Sequence, residues 1–169
     1  MAYPRSSWGA RTPRSMTTQG LPTELFIHHS DTPNANRIDT VAEQHATLRS
    51  FQNFHMDTRG WSDIGYHLIC FQPYGGIKQA RLYRGRPIRY VPAAQQGHNT
   101  GTIALCVVSA NDPVKDRTVD RIDAAIRALA EKYPLTRVRA HGDVFATDCP
   151  GSHLRALLPH FNSTLRKAR

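Results

Sequence analysis

The chain carries nine histidines and three cysteines, and two stretches concentrate them. ELFIHHSD ends in the pair His28 and His29, and HGDVFATDCPG holds His141 and Cys149 eight residues apart among Gly, Asp and Pro. A metal pair on one helix face stands three or four residues apart, and a zinc finger pairs its cysteines at short spacing, so this spacing fits neither. His141 and Cys149 are therefore either unrelated or parts of a site completed from elsewhere in the chain. If one of His28 and His29 joins them, two imidazoles and a thiolate form a zinc set with three protein ligands and an open fourth position. That is the pattern of a catalytic site, whereas a structural site is closed by a fourth residue. Successive strand residues point to opposite faces, so His28 and His29 cannot both reach one ion. His153, close to Cys149, is a rival ligand. His45 and His55 read as helix-face residues and His160 as a surface one.

The elements that must position these groups are legible in the hydrophobic pattern. ELFIHH at 24–29 reads as a buried strand followed by a SDTPNAN loop. A helix is predicted from near Asp39, with Val41, His45, Leu48 and Phe51 at helical spacing. Strands are predicted at 65–71, 80–84, 102–109 and 137–140, and TIALCVVS at 102–109, the most apolar, is expected at the sheet centre. Thr118 is expected to cap a helix whose apolar stripe is Val119, Ile122, Ile126, Leu129 and Tyr133, stopped by Pro134. Ser152 is expected to cap a last helix that Pro159 must kink or break. Strands and helices alternate without strict βαβ order. The predicted fold is one α/β domain over residues 1–169, with a mixed sheet of about five strands flanked by helices and an irregular segment at 1–20.

The bulk numbers exclude several classes. A chain of 169 residues with 40% hydrophobic and 21% charged residues suits one domain with its own core. The longest apolar run, IALCVV, is far short of the roughly 20 residues of a membrane span, and the start, MAYPRSSWGARTPRSM, lacks the apolar core of a secretory signal. Three cysteines do not make a disulfide framework; Cys70 and Cys106 sit in apolar strand-like runs as small hydrophobes. The formal charge of +9 favours polyanions such as nucleic acid, anionic lipid or anionic wall polymers. No nucleic-acid module is visible, so no nucleic-acid partner is expected.

Five segments in order then become informative together: SSWGARTP at 6–13, FIHHSDTP at 26–33, FHMDTRGWSDIGYHLI at 54–69, GHNTGTIALCVV at 97–108 and AHGDVFATDCPG at 140–151. Together they resemble the zinc N-acetylmuramoyl-L-alanine amidases of the type-2 family, which share a fold with peptidoglycan recognition proteins. The resemblance implies one Zn2+ per chain on His28, His141 and Cys149, with the first histidine of the pair on the metal. It implies hydrolysis of the amide between N-acetylmuramic acid and L-alanine, assisted by Tyr66, with Thr147 at a catalytic position two residues before the cysteine. From its residue type alone, Tyr66 reads as a strand aromatic filling the core. His29, Trp61, His98 and Asn99 are the substrate-binding candidates, with His29 lining the cleft or packed behind it. Asp143 and Asp148 either orient ligand imidazoles or act as turn residues.

The implied setting is a phage endolysin: a monomer made in the host cytoplasm that acts on the bacterial wall after release, with no membrane insertion. A peptidoglycan-recognition module that does not cut is the competing expectation. The sequence departs from the family pattern at Ala94, where relatives often carry a histidine, and at Cys106, where cytoplasmic recycling relatives use a glutamate. It also lacks the cysteine pair of animal recognition proteins.

Overall fold

The computed structural model describes residues 1–169. Five strands, β1 (Glu24–His29), β2 (Leu68–Phe71), β3 (Arg81–Arg84), β4 (Thr102–Val108) and β5 (Arg137–Ala140), form one sheet in the order β3-β2-β4-β1-β5. Only β2 and β3 pair antiparallel, so the sheet is mixed. β4 is central and wholly buried, as its unbroken apolar run requires.

Alternation along the strands sends two side-chain sets to opposite faces. Leu25 and Ile27, Leu68 and Cys70, and Ile103, Leu105 and Val107 join the larger core with α2 (Asp116–Ala130) and α4 (Leu158–Ala168). From α2 this core takes Ile122, Ile126 and Leu129, and from α4 Phe161 and Leu165. Full burial of such side chains contributes roughly 1.5–3 kcal/mol each. On the other face Ile69, Phe71, Tyr83 and Val108 pack with Trp8, Ala35, Leu48 and Ile64. Helix α1 (Val41–Asn53) supplies Leu48 to this side.

The N-terminal segment is irregular except for a 3-10 turn at Arg5–Trp8, yet it is firmly tied down. The Trp8 indole donates to the Arg84 carbonyl, and Arg5 pairs at 2.8 Å with Asp63, whose carboxylate is fully buried and also receives the Gln52 amide. No helix is long and apolar enough to cross a membrane.

Several local readings are corrected. Helix α1 starts at Val41, with Thr40 and Glu43 forming a capping box. Its buried line is Gln44, Leu48 and Gln52, while Val41 is exposed, because the two glutamines satisfy Tyr83 and the backbone of Arg11. The second strand begins at Leu68 rather than at residue 65, because the imidazole of His67 takes the Ala104 amide that a longer strand would have paired. Thr118 does not cap α2, which starts at Asp116 after Lys115; it is buried and its hydroxyl donates to Gln72. Ser152 is the first residue of α3 (Ser152–Ala156) and bonds Asn111 instead of capping the helix; Gly151 precedes it. The break expected at Pro159 is real, and falls at Leu157 between α3 and α4. His160 is anchored to Asp123 across α2 and α4 at 2.8 Å.

His67 predicts a pH effect on stability. Its Nε2–H donates to the Tyr90 carbonyl and its Nδ1 accepts from the Ala104 amide, a neutral arrangement. Burial lowers its pKa to about 4, from the usual 6.5. Below about pH 6.5 the unfolded chain therefore binds a proton that the folded chain refuses, and stability falls as pH drops toward the folded pKa. Between about pH 7.5 and about pH 5.5 the expected loss from His67 is roughly 1 kcal/mol. Urea unfolding at the two pH values measures it, and His67→Gln should lose that part of the dependence.

Candidate metal centre and cleft

The register of β1 and β5 brings two of the candidate ligands together. Glu24 lies opposite Arg137, Phe26 opposite Arg139 and Ile27 opposite Ala140 in parallel pairing, so His28 and His141 fall on the next matching rung of one face. Their ring centroids are 4.8 Å apart, the spacing of neighbouring strands. One rung earlier the Arg139 guanidinium lies over the Phe26 ring, and at the start of the strands Glu24 pairs with Arg137 and Arg139.

Cys149 is returned to this point by a tight loop. After β5 the chain makes a 3-10 turn at His141–Asp143, the Gly142 amide donates to the Cys149 carbonyl at 2.9 Å, and Asp143 accepts from the Ala140 amide while pairing with Arg155. Gly142 is required there, because a Cβ would lie 2.7 Å from the Thr147 carbonyl oxygen and 3.1 Å from that of Cys149. Asp143 thus braces the turn, and Asp148 does the same through its carbonyl, which accepts from Gly151.

The ligand atoms of His28, His141 and Cys149 all lie within 4.8 Å of one another, and His28 Nδ1 is 3.7 Å from Cys149 Sγ. Tetrahedral zinc, with bonds of roughly 2.0 Å to nitrogen and 2.3 Å to sulfur, spans about 3.5 Å between such atoms. His141 Nε2 is buried and makes no hydrogen bond, which costs about 1–3 kcal/mol unless something takes up its lone pair. Burial, reinforced by the neighbouring His141, lowers the His28 pKa to about 3, so the imidazole is held neutral, the form that ligates metal. Burial pushes the Cys149 thiol up to about 11, so an incoming cation would have to displace its proton. The donor set fits a zinc-like ion. His153 is exposed on α3 and is not part of the group.

Tyr66 stands beside the three. Its ring lies 5.5 Å from that of His28, and the side chain is half-buried. Burial, then the nearby Cys106 and Cys149, raise its pKa well above 10, so it remains a neutral donor. It is therefore not simply a core-filling aromatic. Behind it His55 packs edge-on at 5.8 Å and stacks on Trp61 at 4.7 Å, with the His55 ring accepting from the Gly65 amide. His55 is buried in a π-helical turn at Phe54–Thr58 that ends α1, so it braces the cleft wall instead of lying on a helix surface.

The structure does not bring every candidate to this point. His29 falls on the opposite face by strand alternation, with Nδ1 against the Ala110 carbonyl. His98 is exposed and lines a separate hollow of about 470 Å³ with Glu24, Asn99 and Thr100, near the start of β1. The Asn99 carboxamide oxygen accepts the amides of Ala94 and Gln95, so it shapes the loop. Thr147 is exposed at the rim, and its hydroxyl accepts the Cys149 amide at 3.3 Å. Sequence reading missed Gln95, whose Oε1 lies 3.1 Å from His28 Nε2. The polar pair in PAAQQGHN was its only visible signal.

On the activity that the family resemblance implies, Thr147→Ala is expected to lower the rate by less than about threefold, because it removes one exposed, long hydrogen bond. A loss of a hundredfold in amine release would instead give Thr147 a place in the chemistry.

Comparison with known proteins agrees with this geometry. A family described as N-acetylmuramoyl-L-alanine amidase matches residues 18–152. The chain is 32% identical over 97% of its length to the human N-acetylmuramoyl-L-alanine amidase, spanning 29% of that protein. It is 30% identical over 93% of its length to peptidoglycan-recognition protein LB of Drosophila melanogaster, covering 68% of it. The solved structure of wild-type Drosophila PGRP-LB superposes with a TM-score of 0.80 at 26% identity, covering 92% of this chain and 91% of that one. The chain thus spans under a third of the length of the mammalian amidases it matches. It belongs to the N-acetylmuramoyl-L-alanine amidase family that includes the peptidoglycan recognition proteins, and it has their fold.

Proposed function

We propose that this chain is a zinc-dependent N-acetylmuramoyl-L-alanine amidase that hydrolyses the bond between the lactyl group of N-acetylmuramic acid and L-alanine in peptidoglycan. The observation that carries this reading is the convergence of His28, His141 and Cys149 donor atoms within 4.8 Å beside the half-buried ring of Tyr66. Zinc held by these three residues would supply Lewis acidity toward the amide carbonyl and an activated water. His28 and His141 would hold the ion as neutral imidazoles, and Cys149 would give up its proton to serve as the one anionic ligand. Tyr66, protonated at neutral pH, donates a hydrogen bond to the oxygen that gains charge as the carbonyl is attacked. A phenol held so far above its ordinary pKa is not a base, which limits Tyr66 to donation and orientation.

The substrate class draws on a relative. A Drosophila PGRP-LB variant, 25% identical to this chain, is described in complex with tracheal cytotoxin. The net charge of +9 suits attraction to anionic wall polymers. The setting that fits is an endolysin: one zinc per chain, a monomer, no nucleic-acid partner, and lysis of the bacterial wall after release from the cytoplasm of its host. Relatives named for recognition support a second reading, a peptidoglycan-binding module that does not cut. Turbidity of a purified wall suspension separates the two. The amidase reading predicts clearing that a chelator stops and added zinc restores, whereas wall binding without clearing at full zinc loading supports the second reading.

A further inference from the structure

The geometry points to Gln95 as the residue that decides which nitrogen of His28 is offered to a metal, and to the loop at 94–102 as the device that decides how Gln95 is turned. Two carbonyl oxygens of this loop, which can only accept, fix the direction of every bond in the network. The Thr102 hydroxyl lies 2.6 Å from the Asn99 carbonyl and must spend its one proton there. Its oxygen is then an acceptor toward Gln95 Nε2, 2.5 Å away. The His98 carbonyl accepts from the same Nε2 at 3.2 Å. Both amide protons of Gln95 are thereby committed to the loop, and flipping the amide would set its oxygen against the His98 carbonyl.

The Gln95 oxygen is left facing His28 Nε2 at 3.1 Å, between two fully buried side chains. An amide oxygen accepts only, so His28 Nε2 must carry the proton. Nδ1 then holds the free lone pair, and it is the nitrogen 3.7 Å from Cys149 Sγ. The loop holds the Gln95 backbone as firmly, since Asn99 Oδ1 accepts the amides of both Ala94 and Gln95. Asn99 and Thr102 thus act through Gln95, and Gln95 acts through His28. All three are positioning residues. Partners that fix the tautomer of a ligating histidine are worth about 10–100-fold in metal affinity.

The consequence for zinc rests on the proposed function, while the tautomer itself does not, and the test keeps them apart. Long-range proton–nitrogen correlation spectra of the metal-free protein with isotope-labelled histidine read the His28 tautomer directly. The wild type is expected to show Nε2–H alone. Gln95→Leu, which removes the acceptor, should populate Nδ1–H and weaken zinc binding by about 10–100-fold in competition with a chelator. Thr102→Val keeps Gln95 but frees its amide to turn, and should move both readouts in the same direction by less. It also serves if Gln95→Leu fails to fold. An Nδ1–H signal in the wild type overturns the inference, as does a folded variant that keeps the wild-type tautomer and the wild-type zinc affinity. If the wild type binds no zinc but its Nε2–H tautomer shifts in the variants, the role of Gln95 stands and the zinc amidase reading falls.

Discussion

Cys149→Ser is expected to reduce amine release from peptidoglycan by at least about a thousandfold, because a metal ion supplies several kcal/mol of charge stabilisation and each 1.36 kcal/mol is tenfold in rate. The substitution exchanges sulfur for oxygen at a site only 8% exposed, so the fold should survive. What changes is the donor. The thiol, although raised to about 11, can surrender its proton to a cation and become an anionic ligand, whereas a serine hydroxyl is a far weaker acid and does not. His28 and His141 are then left as two neutral ligands without the anion that completes the set. Metal analysis of the variant should show zinc well below one per chain, with an unchanged far-ultraviolet circular dichroism spectrum. A variant that keeps both zinc and the wild-type rate removes Cys149 from the metal site.

Tyr66→Phe is expected to lower kcat by about a hundredfold with zinc content unchanged, the low end of the loss seen when one oxyanion donor is removed. The ring that packs near His28 and His55 is retained, so the cleft wall should stand. Only the hydroxyl is lost, and burial together with Cys106 and Cys149 holds it protonated. Because Tyr66 does not titrate near neutral pH, the variant's activity should keep the wild-type pH profile at a lower height. A variant that loses zinc, or one whose rate is unchanged, assigns Tyr66 to packing alone.

The strands that position the two histidines were legible in the apolar pattern, whereas the choice of His28, His141 and Cys149 as one set came from the family resemblance. ELFIHH and RVRA begin and end where the apolar pattern places them, and parallel register then carries His28 and His141 to one rung. Strand alternation also separates His28 from His29, although only the register shows that His29 meets the Ala110 carbonyl.

The rest depended on contacts that spacing does not encode. Gln95 reaches His28 across 67 positions of sequence, and its role rests on amide orientation. Asn99 is a binding candidate through the family resemblance alone, and the structure adds that its oxygen accepts two neighbouring backbone amides. His98 shares that loop yet faces a different hollow. His55 was hidden by a local irregularity, the π-helical turn that rotates it off the α1 surface and under Trp61. Thr118 and Ser152 have cap-forming side chains, but tertiary partners, Gln72 and Asn111, claim their hydroxyls.

The most direct measurement is mass spectrometry of the products from purified peptidoglycan, made alongside zinc analysis of the same preparation. The zinc amidase account predicts one zinc per chain, stem peptides with a new free L-alanine amine, and glycan strands whose lactyl groups end in free carboxylates. New reducing sugar ends without new L-alanine amines, or no cleavage by fully zinc-loaded protein, would contradict it.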